Sequence, residues 1–507
     1  MKKLSSLSLV AASVLIPALL LTMNTVDAQQ VRYKMTTDIP ASITTPDKVE
    51  TSLGTLKFFD GFPDATTVQI VYDNLDFQRG VQTFLTALPA ASMYATRAGY
   101  RTFGPDNQTV LIAESFLDSR TLYLLANSET IYLTVWVDTK SGPMVIEAPP
   151  DVLGFIDDFW CRYVIDMGRA GPDKGQGGKY LLLPPDYKGD VPEGYFVARS
   201  PTFGNFLFLR GFVVDGDLQP AVENMKKNFR IYPLQKAENP PVMNFVNMSG
   251  KFFNCIPSND TSFFGEVNQV IQEEPLESVD PEIRGLLASI GIQKGKPYAP
   301  DARMKDILAD AVAVGNATAR AILFSTRDSE AYYYADSKWK NGFIGNDIEF
   351  SPGGVLNPDA RTLFYYAATG VTPAMMVKMI GIGSQYAFTE RDVTGKYLDG
   401  GQRYRLHLPP DIPAKDFWSI IVYDPQTRSM LQTNQQFPGT SSQKPDITIN
   451  PDSSVDIWFG PEPPPGKEAN WIQTIPGKGW LTLLRLYGPL DPWFDNTWRP
   501  GEIESVK

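Results

Sequence analysis

The chain has 507 residues, of which 43% are hydrophobic and 20% charged, a composition for a packed core rather than for disorder. A formal charge of −11 argues against a broad basic face for nucleic acid. Two cysteines exclude a disulfide-dense scaffold and a four-cysteine zinc site, and the single histidine, His407, excludes a zinc motif built on paired histidines.

Met1–Ala28 reads as a secretory signal. Lys2 and Lys3 precede the apolar run Leu9–Leu21, and Val26 and Ala28 put small residues at the cleavage positions. The run is shorter than the roughly 20 residues that span a bilayer, so cleavage before Gln29 is expected. No later segment reads as a membrane span. The expected mature protein is soluble and either periplasmic or secreted. Export permits a Cys161–Cys255 disulfide, with two buried free thiols as the alternative.

Gln29–Ser52 reads as an extended lead-in. Asp64 caps a helix from about Ala65, which Pro89 ends or kinks. Strands follow at Thr109–Ala113, Thr121–Leu125, Ile131–Val137 and Met144–Ala148. In the third of these, Ile131, Leu133, Val135 and Val137 share one face and Tyr132, Thr134 and Trp136 the other. Asp151–Val164 reads as a helix capped by Asp151, and Gly171–Gly178 as a mobile loop.

Strands resume at Lys179–Leu183, Gly194–Arg199 and Asn205–Val214. Asp217 and Pro220 open a short helix that Pro233 closes. From Asn239 the pattern turns helical, with starts at Asp280-Pro281 and Asn357-Pro358 and a long helix over Ala302–Phe324. Strands dominate again from Gln402, at Arg403–Leu408, Trp418–Tyr423, Asp446–Asn450, Val455–Phe459 and Trp480–Tyr487.

The expected fold is therefore α+β and mainly β, with two β-sandwich or jelly-roll-like domains and helical segments before and between them. The expected division is 1–28 signal, 29–235 N-terminal β-rich domain, 236–355 helical connection and 356–507 C-terminal β-rich domain. A weak echo supports it: Leu181–Asp186 resembles Leu406–Asp411, and Phe206–Arg210 resembles Leu481–Arg485, in the same order.

Asn127–Tyr132, Trp136-Val137-Asp138, Gly142-Pro143 and Gly178–Pro185 resemble the N-terminal unit of a two-part family of exported bacterial proteins with tandem domains of unknown function. Phe417–Asp424, Asn470-Trp471 and Leu484–Pro489 resemble its C-terminal unit. The resemblance implies two sandwich-like domains and self-association, but no chemistry. Glu129 stands where the family has aspartate, which keeps the carboxylate and lengthens its reach.

Asn127, Glu129, Tyr132, Trp136 and Asp138 form the best small constellation. An amide, carboxylates, a phenol and an indole suit a sugar or another small polar molecule. The plainer alternative is that Tyr132 and Trp136 fill a sandwich core. Glu129 and Asp138 are the candidate proton-handling pair across a hairpin, with Tyr132 orienting the substrate.

Arg210 and Arg485 are charges inside apolar strands. Asp215 and Asp491 are local partners that would make them structural, and binding of a ligand carboxylate is the other reading. Arg485 and Tyr487 complete the candidate ligand-binding set with Asn127 and Trp136. Gly171–Tyr180 lacks the spacing of a P-loop, and His407 has no nucleophile elbow beside it. No motif calls for a metal or a cofactor.

The expected function is binding of a small polar ligand or saccharide by a self-associating protein. A carboxylate-dependent hydrolase or lyase and a structural assembly protein are the alternatives.

Overall fold

The computed structural model describes residues 34–213 and 216–506. The expected signal and Asp215 lie outside the described residues. Two compact units divide the chain at Val71 and Tyr72.

The first unit carries a small antiparallel ribbon of β1 (Lys48–Thr51), β2 (Gly54–Phe59) and β3 (Phe62–Pro63). Asp60 and Gly61, at φ 49° and 86°, make the two-residue turn between β2 and β3. An Asp-Gly pair favours such a turn, so the lead-in runs into a hairpin. Helix α1 (Ala65–Arg101) starts where Asp64 accepts a 2.7 Å bond from the Thr67 amide. It runs through Pro89 instead of ending there. The lost backbone bond is tolerated because Ala87, Leu88, Ala90 and Ala91 are all buried by packing.

In the second unit, the strands are β4 (Thr109–Ile112), β5 (Ile131–Asp138), β6 (Met144–Ala148), β7 (Val152–Asp158), β8 (Tyr163–Gly168), β9 (Gly178–Leu183), β10 (Phe196–Arg199) and β11 (Gly204–Gly211). Helix α2 (Gln219–Asn228), β12 (Arg230–Pro233) and β13 (Asn244–Asn247) follow. They form a six-stranded sheet, β13-β4-β5-β11-β7-β8, and a four-stranded sheet, β10-β9-β6-β12. Leu133, Val135, Leu207 and Leu209 of the larger sheet share a buried core with Ile146, Leu182 and Ile231 of the smaller.

The expected helix over Asp151–Val164 is instead the β7–β8 hairpin. Asp158 Oδ1 accepts from the Trp160 and Arg162 amides at 2.8 and 2.9 Å, and Cys161 takes a left-handed φ of 55°. Those bonds satisfy a tight turn, so Asp157 and Asp158 belong to a strand end. Thr121–Leu125 forms only a single bridge, Leu122 to Asn254. The glycine-rich loop before β9 is tied down by Asp173, which accepts from Gly168, Gly177 and the Tyr180 hydroxyl.

Helices α3 (Ser262–Glu273), α4 (Pro281–Ser289), α5 (Ala302–Phe324) and α6 (Pro358–Ala367) come next. Contrary to expectation, α5 is long and apolar enough to cross a bilayer. Its apolar side packs on α1, where a Cβ on Gly80 would meet Ala311 at 2.7 Å and one on Gly315 would meet Phe84 at 2.8 Å. Glycine is required at both points for the helices to approach.

The remaining strands are β14 (Ser384–Thr389), β15 (Arg403–Leu408), β16 (Ala414–Tyr423), β17 (Gly439–Ser441), β18 (Val455–Gly460), β19 (Trp471–Gln473), β20 (Leu481–Pro489) and β21 (Ile503–Val506), with α7 (Asp491–Phe494) before the last. They form two four-stranded sheets, β14-β20-β16-β17 and β19-β18-β15-β21. Leu406, Ile420, Ile457, Leu484 and Trp480 fill the space between them. Asp446–Asn450, expected as a strand, is irregular. The fold is thus α+β and mainly β.

A third and larger core joins the two sandwiches. It takes Tyr132, Phe155, Phe206 and Phe208 from the outer face of the N-terminal six-stranded sheet. Phe388, Ile421, Tyr423 and Leu483 come from the outer face of the C-terminal sheet, and α1, α3, α5 and α6 close the sides. Cys161 and Cys255 are both buried in this core as free thiols, not as a disulfide.

Candidate functional site

Strand pairing places the site. β11 lies between β5 and β7, and its register sets Arg210 opposite Tyr132. β20 lies between β14 and β16, and its register sets Arg485 opposite Tyr386. Each arginine thus projects from a central strand of its own sheet into the shared core.

A cavity of about 110 Å³ opens there. Tyr132, Phe155, Phe206 and Phe208 line it from one sandwich, Tyr386, Phe388, Leu483 and Tyr487 from the other, and Phe364 and Ala367 from α6. Protein interiors are close-packed, and dry apolar voids of roughly 150 Å³ hold a benzene ring. The space has the scale of a small organic molecule.

Arg210 and Arg485 complete the lining and are 7% and 3% exposed. Arg210 Nη1 donates to Ser384 Oγ at 3.4 Å, while its Nε has no partner among the described residues. Arg485 Nη2 donates to the carbonyls of Leu125 and Ala126 at 2.6 and 3.3 Å, while its Nη1 has no partner among the described residues. Leu125 sits at a left-handed φ of 43°. Such strain costs roughly 1–3 kcal/mol and collects at functional sites.

The expected partner Asp491 pairs with Lys378 at 2.9 Å instead. Among the described residues no carboxylate forms an ion pair with either arginine. Burying an unpaired charge costs several kcal/mol, roughly, in a folded protein. Both guanidiniums lie within electrostatic reach of the same three phenols, Tyr132, Tyr386 and Tyr487.

Asn127 and Glu129 belong to the wall behind Arg485. Asn127 Nδ2 donates to the Tyr487 hydroxyl at 2.6 Å, and its Oδ1 accepts from the Glu129 amide at 3.1 Å. Glu129 faces the other way, into an outer pocket lined by Ser441, Lys444, Phe437 and Trp471. Its Oε2 accepts from Ser441 Oγ at 2.7 Å. Burial pushes the carboxyl up to about 7 against the opposing pull of Ser441, Ser128 and Arg485.

Two expected members of the constellation lie elsewhere. Asp138 ends β5, eight residues long and roughly 25 Å from end to end, while Glu129 precedes its start. They cannot act as a carboxylate pair, and the proton-handling reading of Glu129 with Asp138 is corrected on that ground. Asp138 instead accepts from the Lys140 amide at 2.8 Å.

Trp136 lines neither pocket. Its ring packs edge-on to Phe159 at 4.8 Å and near the Arg97 guanidinium at 5.8 Å, in space that Gly204 leaves open. The plainer core reading holds for Trp136, while Tyr132, on the same face of β5, reaches the cavity. His407 pairs with Asp456 at 2.9 Å on the far sandwich.

Ser384 and Tyr386, whose hydroxyls are 2.5 Å apart, belong to the site although no motif in the sequence marks them. Their strand lies before Gln402, where the strand pattern was expected to begin. The Ser-Gln-Tyr-Ala-Phe-Thr alternation of β14 was the available signal.

Residues 107–233 match the family described as protein of unknown function DUF1254, and residues 383–491 match that described as protein of unknown function DUF1214. The tandem is the organisation of the two-part family that the sequence resembles. Among solved structures, the chain is similar to the VPA0106 protein from Vibrio parahaemolyticus. Identity is 16% and the TM-score 0.54, over 85% of this chain and 100% of that one. It is also similar to an uncharacterized protein from Burkholderia cenocepacia, at 12% identity and a TM-score of 0.38, over 86% and 96% of the two chains. The first likeness shows a shared fold and nothing of activity. No curated protein matches the sequence.

Proposed function

We propose that this tandem of two units of unknown function is a binding protein, which encloses one small organic molecule between its two sandwiches. The supporting observation is the cavity itself: an aromatic-walled space of about 110 Å³ in the middle of the core that joins both sandwiches. A core meant only to hold the sandwiches together would gain by filling that space, at roughly 24 cal/mol per Å³ of void.

Aromatic walls suit an apolar body better than a hydroxyl-rich saccharide. Binding is favoured over hydrolysis because the expected carboxylate pair is divided between the two ends of β5. The experiment is native mass spectrometry of the protein from its own host. A bound mass of low molecular weight, lost on denaturation, is expected, and any self-association appears as a multiple of the chain mass. Ala367→Leu, which fills the cavity, should lower the bound fraction with an unchanged circular dichroism spectrum. A bound mass indifferent to that substitution would place the ligand elsewhere and overturn this reading.

A further inference from the structure

We infer that the enclosed molecule is an organic acid, with a carboxylate received by Arg210 and Arg485 and an apolar body among the phenylalanines. The inference rests on the binding reading above and deepens it.

The polar side chains at the arginine end supply donors in excess. A guanidinium has five N–H groups and no acceptor, and it stays protonated. Neither arginine's donors are used up, since Arg210 Nε and Arg485 Nη1 have no partner among the described residues.

Tyr487 adds another donor, and its direction can be argued. The Glu129 amide donates to Asn127 Oδ1, which fixes the orientation of the Asn127 side chain and turns its Nδ2 toward Tyr487. The phenolic oxygen therefore accepts, and its own proton is left for another acceptor. Ser384 and Tyr386 behave alike. Whichever of them donates across their 2.5 Å contact, one hydroxyl proton of the pair remains over.

Acceptors are scarce. Among the described residues, no aspartate or glutamate lines the cavity. The Leu125 and Ala126 carbonyls already receive Arg485, and Ala126 also receives the Tyr423 hydroxyl at 2.5 Å. Thr369 is engaged with Ser92 at 2.9 Å. A neutral ligand would leave these donors unmatched, whereas a planar carboxylate takes several at once. Inorganic anions match the donors but leave the aromatic remainder of the space empty.

The test is calorimetric titration of the full chain with benzoate and butanoate, against the neutral isosteres benzamide and butanamide and against inorganic phosphate. At least one acid should bind tenfold or more tighter than its amide, with phosphate weaker than both. Arg210→Met should abolish that preference. Its melting temperature should be unchanged or higher, because it removes a buried charge that no carboxylate among the described residues balances. An arginine kept for structure would instead melt lower on substitution. Equal binding of acid and amide, or a preference that survives Arg210→Met, overturns the acid assignment and leaves the cavity reading standing. If neither acids nor amides bind, and Ala367→Leu leaves the bound mass from the host unchanged, the cavity reading falls with it.

Discussion

Arg210 and Arg485 occupy matching places in the two sandwiches, each on a central strand and each directly across from a tyrosine, Tyr132 and Tyr386. The resemblance between Phe206–Arg210 and Leu481–Arg485 is thus spatial as well as sequential. Two local designs meet face to face, and the cavity is what lies between them.

Stability should depend on pH in a definite direction. Burial raises Glu129 and Glu274 from 4.5 to about 7 and Asp166 from 3.8 to about 6. A carboxyl raised in the folded state binds its proton more tightly there, so stability is lost as pH climbs from the unfolded value through the folded one. Urea unfolding at pH 5 should give a higher free energy than at pH 8. Glu129→Gln should remove on the order of 3 kcal/mol of that difference at most. A flat profile between those pH values would refute the shifts.

Arg97 is 1% exposed and is held by Glu273 in a two-pronged bond of 2.5 and 3.0 Å. Glu273→Gln leaves a buried guanidinium without its counter-charge and should destabilise by about 3 kcal/mol. The urea midpoint reads this directly. No movement would mean that the aromatic rings of Tyr94, Trp136 and Phe159 hold the charge by themselves.

Gly370 has φ 87°, and a Cβ on it would sit 2.7 Å from the Phe155 ring that walls the cavity. Gly370→Ala should cost about 1–3 kcal/mol through backbone strain. It should also weaken binding of whatever occupies the space, because Phe155 can yield only by moving. Thermal melting separates the first effect, and titration of the folded variant the second.

Cys161 and Cys255 are buried thiols, and burial pushes both well above the ordinary cysteine range. Neither should react with a thiol reagent until the protein unfolds, and two equivalents should then appear. Reductant should leave the melting temperature unchanged. A shift on reduction would reveal a bridge.

Much of the strand content was legible because one-faced alternation is a strong signal. β5 divides as its sequence reads, with Ile131, Leu133, Val135 and Val137 in the N-terminal sandwich core and Tyr132 and Trp136 in the joining core. β7 resembles a helix in sequence because it is buried on both faces, so its apolar run carries no period to distinguish strand from helix. Asp151 in front of it resembled a cap.

The arginines stood out as charges in apolar strands. Their meeting did not, since residues 210 and 485 are joined only by the packing of one sheet on another. Local sequence offered Asp491 as a partner, and tertiary structure gave that carboxylate to Lys378. The separation of Glu129 and Asp138 was legible, because the strand read over Ile131–Val137 already lies between them.

The core that joins the sandwiches has a consequence for inheritance. Its residues come from both halves and from the helices before and between them, from Phe84 to Leu483. A gene split between the two sandwiches would leave each product with a broad greasy face in water, prone to clumping before it met its counterpart. Shuffling either sandwich alone onto another protein would bring the same penalty. The pair is therefore expected to persist in genomes as a single reading frame, copied and lost together.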